Sequence, residues 1–104
     1  MRLTMTLLIK DEVDIIADNI KVHSGLGVDN FIVMDNGSTD GTRDVLSELQ
    51  KQYDLTIIDR PVLDYQQSNW KTEMARLARS KYGAQWVITN DADEFWIPKQ
   101  GDLK

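Results

Sequence analysis

The chain has 104 residues, 41% of them hydrophobic and 28% charged, which suits one soluble globular domain spanning residues 1–104. A net charge of -5 with no cluster of Lys or Arg argues against a nucleic-acid partner, which would call for a basic face. The absence of cysteine excludes disulfides, thiolate metal sites and thiol chemistry.

Leu3–Ile9 is an apolar run that reads as a first strand. It is too short to span a bilayer and lacks a leader-cleavage pattern, so no transmembrane segment and a cytoplasmic location are expected. Residues 12–24 follow with Val13, Ile16, Ala17 and Ile20 on one helical face. Asp11 is placed to cap that helix, and Gly25 and Gly27 to end it. Residues 31–34 form a short, wholly apolar second strand, the pattern of a strand covered on both faces.

Residues 35–42, Asp-Asn-Gly-Ser-Thr-Asp-Gly-Thr, are rich in turn formers and lead into a second helix with Val45, Leu46, Leu49 and Tyr53 on its buried side. Residues 55–58 read as a third strand and 59–68 as a loop. Residues 69–82 carry Trp70, Met74, Leu77 and Ala78 on one stripe, a third helix that Gly83 stops. Residues 86–89 are a fourth strand, ending at Asn90-Asp91-Ala92-Asp93. The three tryptophans, Trp70, Trp86 and Trp96, are expected mostly in the core, with Trp96 a candidate pocket wall. The lone histidine, His23, reads as a helix-end residue rather than a catalyst.

The alternation βαβαβαβ predicts a three-layer, Rossmann-like α/β fold with a mostly parallel sheet and right-handed crossovers. Ligands of such sheets bind beyond the C-terminal strand ends. The polar clusters fall there: Asp11-Glu12 after the first strand, 35–40 after the second and 91–94 after the fourth.

In an extended segment Asp91 and Asp93 face the same side, and their mutual repulsion is relieved by a divalent cation, Mg²⁺ or Mn²⁺, that also takes substrate phosphates. As a lone motif this pattern reads first as a solvated acidic turn; its place after an apolar strand shifts the reading to the metal. Asp35, at a strand tip, is placed to accept a hydrogen bond from a nucleotide base, although residues 35–42 also read as a plain strand-to-helix turn that Ser38, Thr39 or Asp40 caps. A calcium loop fails, because its twelfth position is Ser47 where a bidentate Glu is required. Lys71 and Arg76 fit solvated helix faces better than phosphate contacts.

Together, Asp11-Glu12, the turn at residues 35–42 and the Asp-Ala-Asp-Glu-Phe cluster at 91–95 resemble glycosyltransferase family 2 over nearly the whole chain. Position 11 departs from that pattern, with Asp where Asn is more usual. The resemblance implies the N-terminal, nucleotide-sugar-binding part of a GT-A fold. It implies that Glu12, Asp35 and Asp91 contact the donor nucleotide, expected to be UDP-linked, and that Asp91 and Asp93 hold Mn²⁺ or Mg²⁺. It further implies inverting transfer to an acceptor of open class (saccharide, lipid or protein), with the catalytic base beyond Lys104 and Glu94 a poor substitute. An incomplete sheet would leave an edge open to self-association. A non-catalytic sugar-nucleotide or protein-binding module is the alternative. Another Mg²⁺-dependent α/β enzyme is disfavoured because the loop after the first strand is acidic, not a basic phosphate loop.

Overall fold

A computed structural model describes residues 2–60 and 67–90. The elements follow in the order β1 (Leu3–Ile9), α1 (Ile16–Gly25), β2 (Asn30–Asp35), α2 (Thr42–Leu49), β3 (Leu55–Asp59), α3 (Gln67–Tyr82) and β4 (Trp86–Asn90). The four strands form one sheet, ordered β3-β2-β1-β4, and every pairing is parallel. The alternation predicted from the sequence is thus the alternation observed.

Side-chain alternation along the strands builds two cores. Leu3, Met5, Leu7 and Ile9 of β1 join Phe31 and Val33 of β2 under Ile16 and Ile20 of α1 and Leu46 and Leu49 of α2. Leu8, Ile32 and Met34 point the other way, against Trp70, Met74 and Ala78 of α3. β1 and β2 are buried along their full length, which explains why both read as largely apolar runs. Two threonines interrupt β1, and both are satisfied: Thr4 Oγ1 donates to Asn30 Oδ1 at 3.3 Å and Thr6 Oγ1 to Thr89 Oγ1 at 3.5 Å. Tyr53, just past α2, adds an edge-to-face contact on Phe31 with ring centroids 6.5 Å apart.

The path β1-β2-β3 runs one way across the sheet, and α3 then carries the chain back past both strands to β4 on the far side of β1. Crossovers of a single hand place α1 and α2 on one face and α3 on the other. The order reverses between β1 and β4, which makes the C-terminal ends of these two strands the switch point of the sheet.

α1 begins at Ile16, later than the apolar spacing predicts. Residues 12–15 form a separate turn, in which Glu12 O accepts from Ile15 N and Ile16 N. Its C-terminus is a Schellman arrangement, with Val28 N donating to His23 O and Gly27 N to Ser24 O while Gly27 takes φ 109°. Trp86 is a correction: it is 61% exposed rather than in the core. It opens β4, an edge strand of the sheet. Trp70 is buried as expected, and Trp96 lies outside the described residues. No described helix is long and apolar enough to cross a membrane.

Candidate functional site

The C-terminal rim of the sheet is built by two loops that hydrogen-bond to each other. Asp11 adopts φ 54°, the left-handed region that a short polar side chain tolerates best. This turns the chain sharply out of β1 and leaves the amides of residues 11–13 pointing at the loop after β2. Asp11 N donates to Ser38 Oγ at 2.9 Å, Glu12 N to Thr42 Oγ1 at 2.9 Å and Val13 N to Asp40 Oδ2 at 3.2 Å. In return Thr39 N donates to Asp11 Oδ1 at 2.7 Å. Asp11 therefore does not cap α1. The first residue before α1 is Ile15, which has no side-chain cap. The carboxylate of Asp11 is instead spent on the neighbouring loop, because its backbone is turned away from the helix.

The second loop is held from within as well. Ser38 N donates to Asp35 Oδ1 at 2.8 Å and Thr42 N to Asp40 Oδ1 at 3.0 Å. The Thr42 hydroxyl also donates to Asp40 Oδ1 in a short hydrogen bond. That hydroxyl, with the Thr42 and Val13 amides, holds the Asp40 carboxyl below the usual aspartate range. Gly41 takes φ 97°, a conformation open to glycine, and lets Asp40 reach back over the start of α2. The N-cap of α2 is Gly41, with no side-chain cap, so none of Ser38, Thr39 and Asp40 holds that position; Asp40, one residue earlier, accepts from the first helical amide, while Ser38 and Thr39 face the β1 loop.

Asp35 ends β2 in register with Ile9 on one side and Asp59 on the other. Its side chain is 3% exposed. One carboxylate oxygen takes the Ser38 amide. The other, Oδ2, is buried without a hydrogen-bond partner, and among the described residues it is the side-chain polar atom so left. A buried acceptor without a donor costs free energy that a ligand N–H can recover. Asp35 lines an open cleft of about 80 Å³ together with Gly37, Ser38, Arg43 and Asp59. Arg43 Nε donates to Asp59 Oδ1 at 2.8 Å across the mouth.

Of the residues expected to form the site, Asp35 lies in this cleft. Glu12 lies on the same rim, half-buried in the first turn after β1, with its amide fixed by Thr42. Asp91 and Asp93 lie outside the described residues, and β4 ends at the same rim, Asn90 pairing with Leu7. Among the described residues no group of three or more His, Asp or Glu could hold a metal. Arg43 and Asp59 were not anticipated. Asp59 carried a readable signal, being an acidic residue at the end of a strand like Asp35. Arg43 carried none, since its spacing marks only an exposed helix position.

His23 stays structural. It is fully buried, and its Nδ1 lies 2.9 Å from Asn19 O and 3.0 Å from Asn19 Oδ1. Burial lowers its pKa, partly offset by the Asn19 carbonyl.

A parallel sheet with an orphaned carboxylate at a β2 tip, beside the switch point, has its candidate site at the end of the sheet where such folds take ligands. No curated protein matches the chain. Residues 6–104, nearly the whole length, match glycosyltransferase family 92, not the family 2 that the motifs resemble. The sugar-transferase reading of those motifs stands and the numbered family changes: this chain belongs to glycosyltransferase family 92.

Proposed function

We propose that the chain binds the nucleotide of a nucleotide-sugar donor, UDP-linked, at the C-terminal rim, within a GT-A arrangement. The observation that carries this reading is Asp35 Oδ2, buried and without a partner in an open cleft at the strand tip. Such an oxygen fits the ring N–H of a base. Glu12, across the rim, would meet the nucleoside from the β1 side. Asp91 and Asp93 would hold the diphosphate through Mn²⁺ or Mg²⁺. The chemistry of that donor set fits a hard cation that keeps water and phosphate ligands. When bound, the cation would neutralise charge developing on the leaving diphosphate.

The part played by the described residues is orientation. The cross-loop hydrogen bonds fix Asp35 and the Glu12 backbone relative to each other before any ligand arrives, so little ordering entropy remains to be lost on binding. The acceptor hydroxyl would attack the anomeric carbon in line, with inversion, assisted by a carboxylate base, as the nucleoside diphosphate leaves. The acceptor is a saccharide, lipid or protein. The exposed Trp86 on the edge strand β4 supports self-association of the chain. A strictly monomeric light-scattering profile at high concentration would remove that part.

The test is calorimetric titration of UDP into the folded chain with Mn²⁺ and again with EDTA. Metal-dependent binding that disappears in Asp91→Asn plus Asp93→Asn is expected. Binding indifferent to EDTA and to both substitutions would overturn the metal role, and no binding by a chain with a normal melting transition would overturn the donor site.

A further inference from the structure

Arg43 lines the Asp35 cleft from the first turn of α2 and is held from two directions. Its Nε donates to Asp59 Oδ1 at 2.8 Å, and its Nη1 to Ser47 Oγ at 2.5 Å. Ser47 sits one turn further along the helix and Asp59 at the tip of β3, so the guanidinium plane is fixed between a helix and a strand end. Its side chain is nevertheless 41% exposed. Nη2 makes no hydrogen bond to a described residue. Across the same cleft stands Asp35 Oδ2, buried and also without a partner. Asp35 and Asp59 are register partners on β2 and β3, so the acceptor and the arginine anchor sit side by side. The cleft thus offers a ligand one buried acceptor and one oriented donor of fixed charge.

That pair suits a neutral heterocycle or ribose better than a phosphate. The lining contains two carboxylates and one guanidinium, and the guanidinium is already paired with Asp59. An anion entering there would meet carboxylates before it met free positive charge. A neutral edge that carries an N–H beside a carbonyl or hydroxyl oxygen meets neither repulsion.

Resting on the nucleotide reading of this cleft, we propose that Arg43 is a nucleoside-binding residue. Its Nη2 donates to an oxygen on the base or ribose of the nucleotide whose N–H is accepted by Asp35 Oδ2. Asp59 and Ser47 are the positioning residues that aim it.

The experiment is titration of UDP and of uridine, directly or by competition, into the wild-type chain, Arg43→Ala, Arg43→Lys and Asp59→Asn. Thermal melts of each variant establish that it folds. Arg43→Ala should weaken both ligands by the same factor, roughly tenfold or more, the scale of a hydrogen bond to a charged group. Arg43→Lys should not restore binding, because an ammonium on a flexible stem cannot keep the fork geometry. Asp59→Asn should weaken binding less, and add little when combined with Arg43→Ala, because it acts through the same side chain. A folded Arg43→Ala chain that binds both ligands as the wild type does would overturn the proposal. A loss confined to UDP would overturn it too, by assigning Arg43 to phosphate. If the wild type binds neither ligand, the nucleotide reading itself falls and takes the proposal with it.

Discussion

The two ends of the sheet are both polar and both concave, yet they are built on opposite terms. At the N-terminal end, Arg2, Asp29, Gly83 and Gln85 line a recess of about 350 Å³, much larger than the cleft of about 80 Å³ at the C-terminal end. The polar groups of the N-terminal end serve the fold. Asp29 N donates to Leu3 O at 2.8 Å, Leu3 N donates back to Asp29 Oδ2 at 2.8 Å, and Asn30 Nδ2 donates to Asp54 Oδ2 at 2.8 Å. At the C-terminal end the loops are equally well tied, but one carboxylate oxygen is left buried and unmatched. Size therefore does not identify the site. The buried, unmatched Asp35 Oδ2 is what makes the C-terminal cleft the candidate, because such an atom costs stability unless a ligand repays it.

The sharpest way to break this contrast is Asp35→Asn. The amide keeps an oxygen for Ser38 N–H and removes the unpaired negative oxygen. Nucleotide affinity should fall by about ten- to a hundredfold while the melting temperature holds or rises. A clear drop in melting temperature would mean that Oδ2 has a structural role, and the contrast would fail.

Next in size is Thr42→Val. The buried hydroxyl accepts from Glu12 N and donates to Asp40. Its loss should cost about 1–3 kcal/mol in denaturant unfolding and loosen both loops, so UDP affinity should fall with stability. An unchanged affinity would show that the cross-loop ties hold the fold and not the ligand.

The matching change at the other end is Asp29→Ala. It should cost about 0.5–1.5 kcal/mol through the lost bond to Leu3 N and leave UDP affinity unchanged. Weakened UDP binding there would remove the distinction between the two ends.

The smallest effects are seen in pH. The His23 pKa lies below 6.5 in the fold, so the unfolded chain binds the extra proton first as pH falls. Stability is then complete above about pH 6.5 and declines below it, and His23→Gln should flatten that decline. Asp40 works with the same sign in a lower window. Its carboxyl lies below 3.8, so its contribution is present above that pH and is lost as pH falls through the folded value. Asp40→Asn should remove this last acid-side loss. An unaltered pH profile in either variant would show that the group does not titrate with unfolding.

Much of the fold was legible because its signals are local. The bounds of β1 are those of its apolar run, β2 is longer than its run by a residue at each end, and β3 and β4 are longer than theirs by one residue. Gly27 and Gly83 both take positive φ where a helix stop was expected. The family-level chemistry was legible for the same reason, since it rests on short motifs at strand ends. Asp11 was misread because capping rules assume that a side chain serves its own helix, whereas its left-handed backbone turns it to a partner 28 residues away. Trp86 was misread because apolar character does not reveal which strand becomes the edge.

The sequence by itself determined which segments are strand and helix, that the strands run parallel, and that acidic residues gather at their C-terminal ends. Hydrophobic period, glycine stops and the alternation of elements are all properties of neighbouring residues. Only the tertiary structure decided the order β3-β2-β1-β4, the mutual capping of two loops, and the meeting of Asp35, Asp59 and Arg43 in one cleft. Those choices depend on which faces the helices bury and on contacts between residues far apart in the chain. No local pattern encodes them, because each partner is satisfied by a group brought alongside it by the packing of the whole sheet.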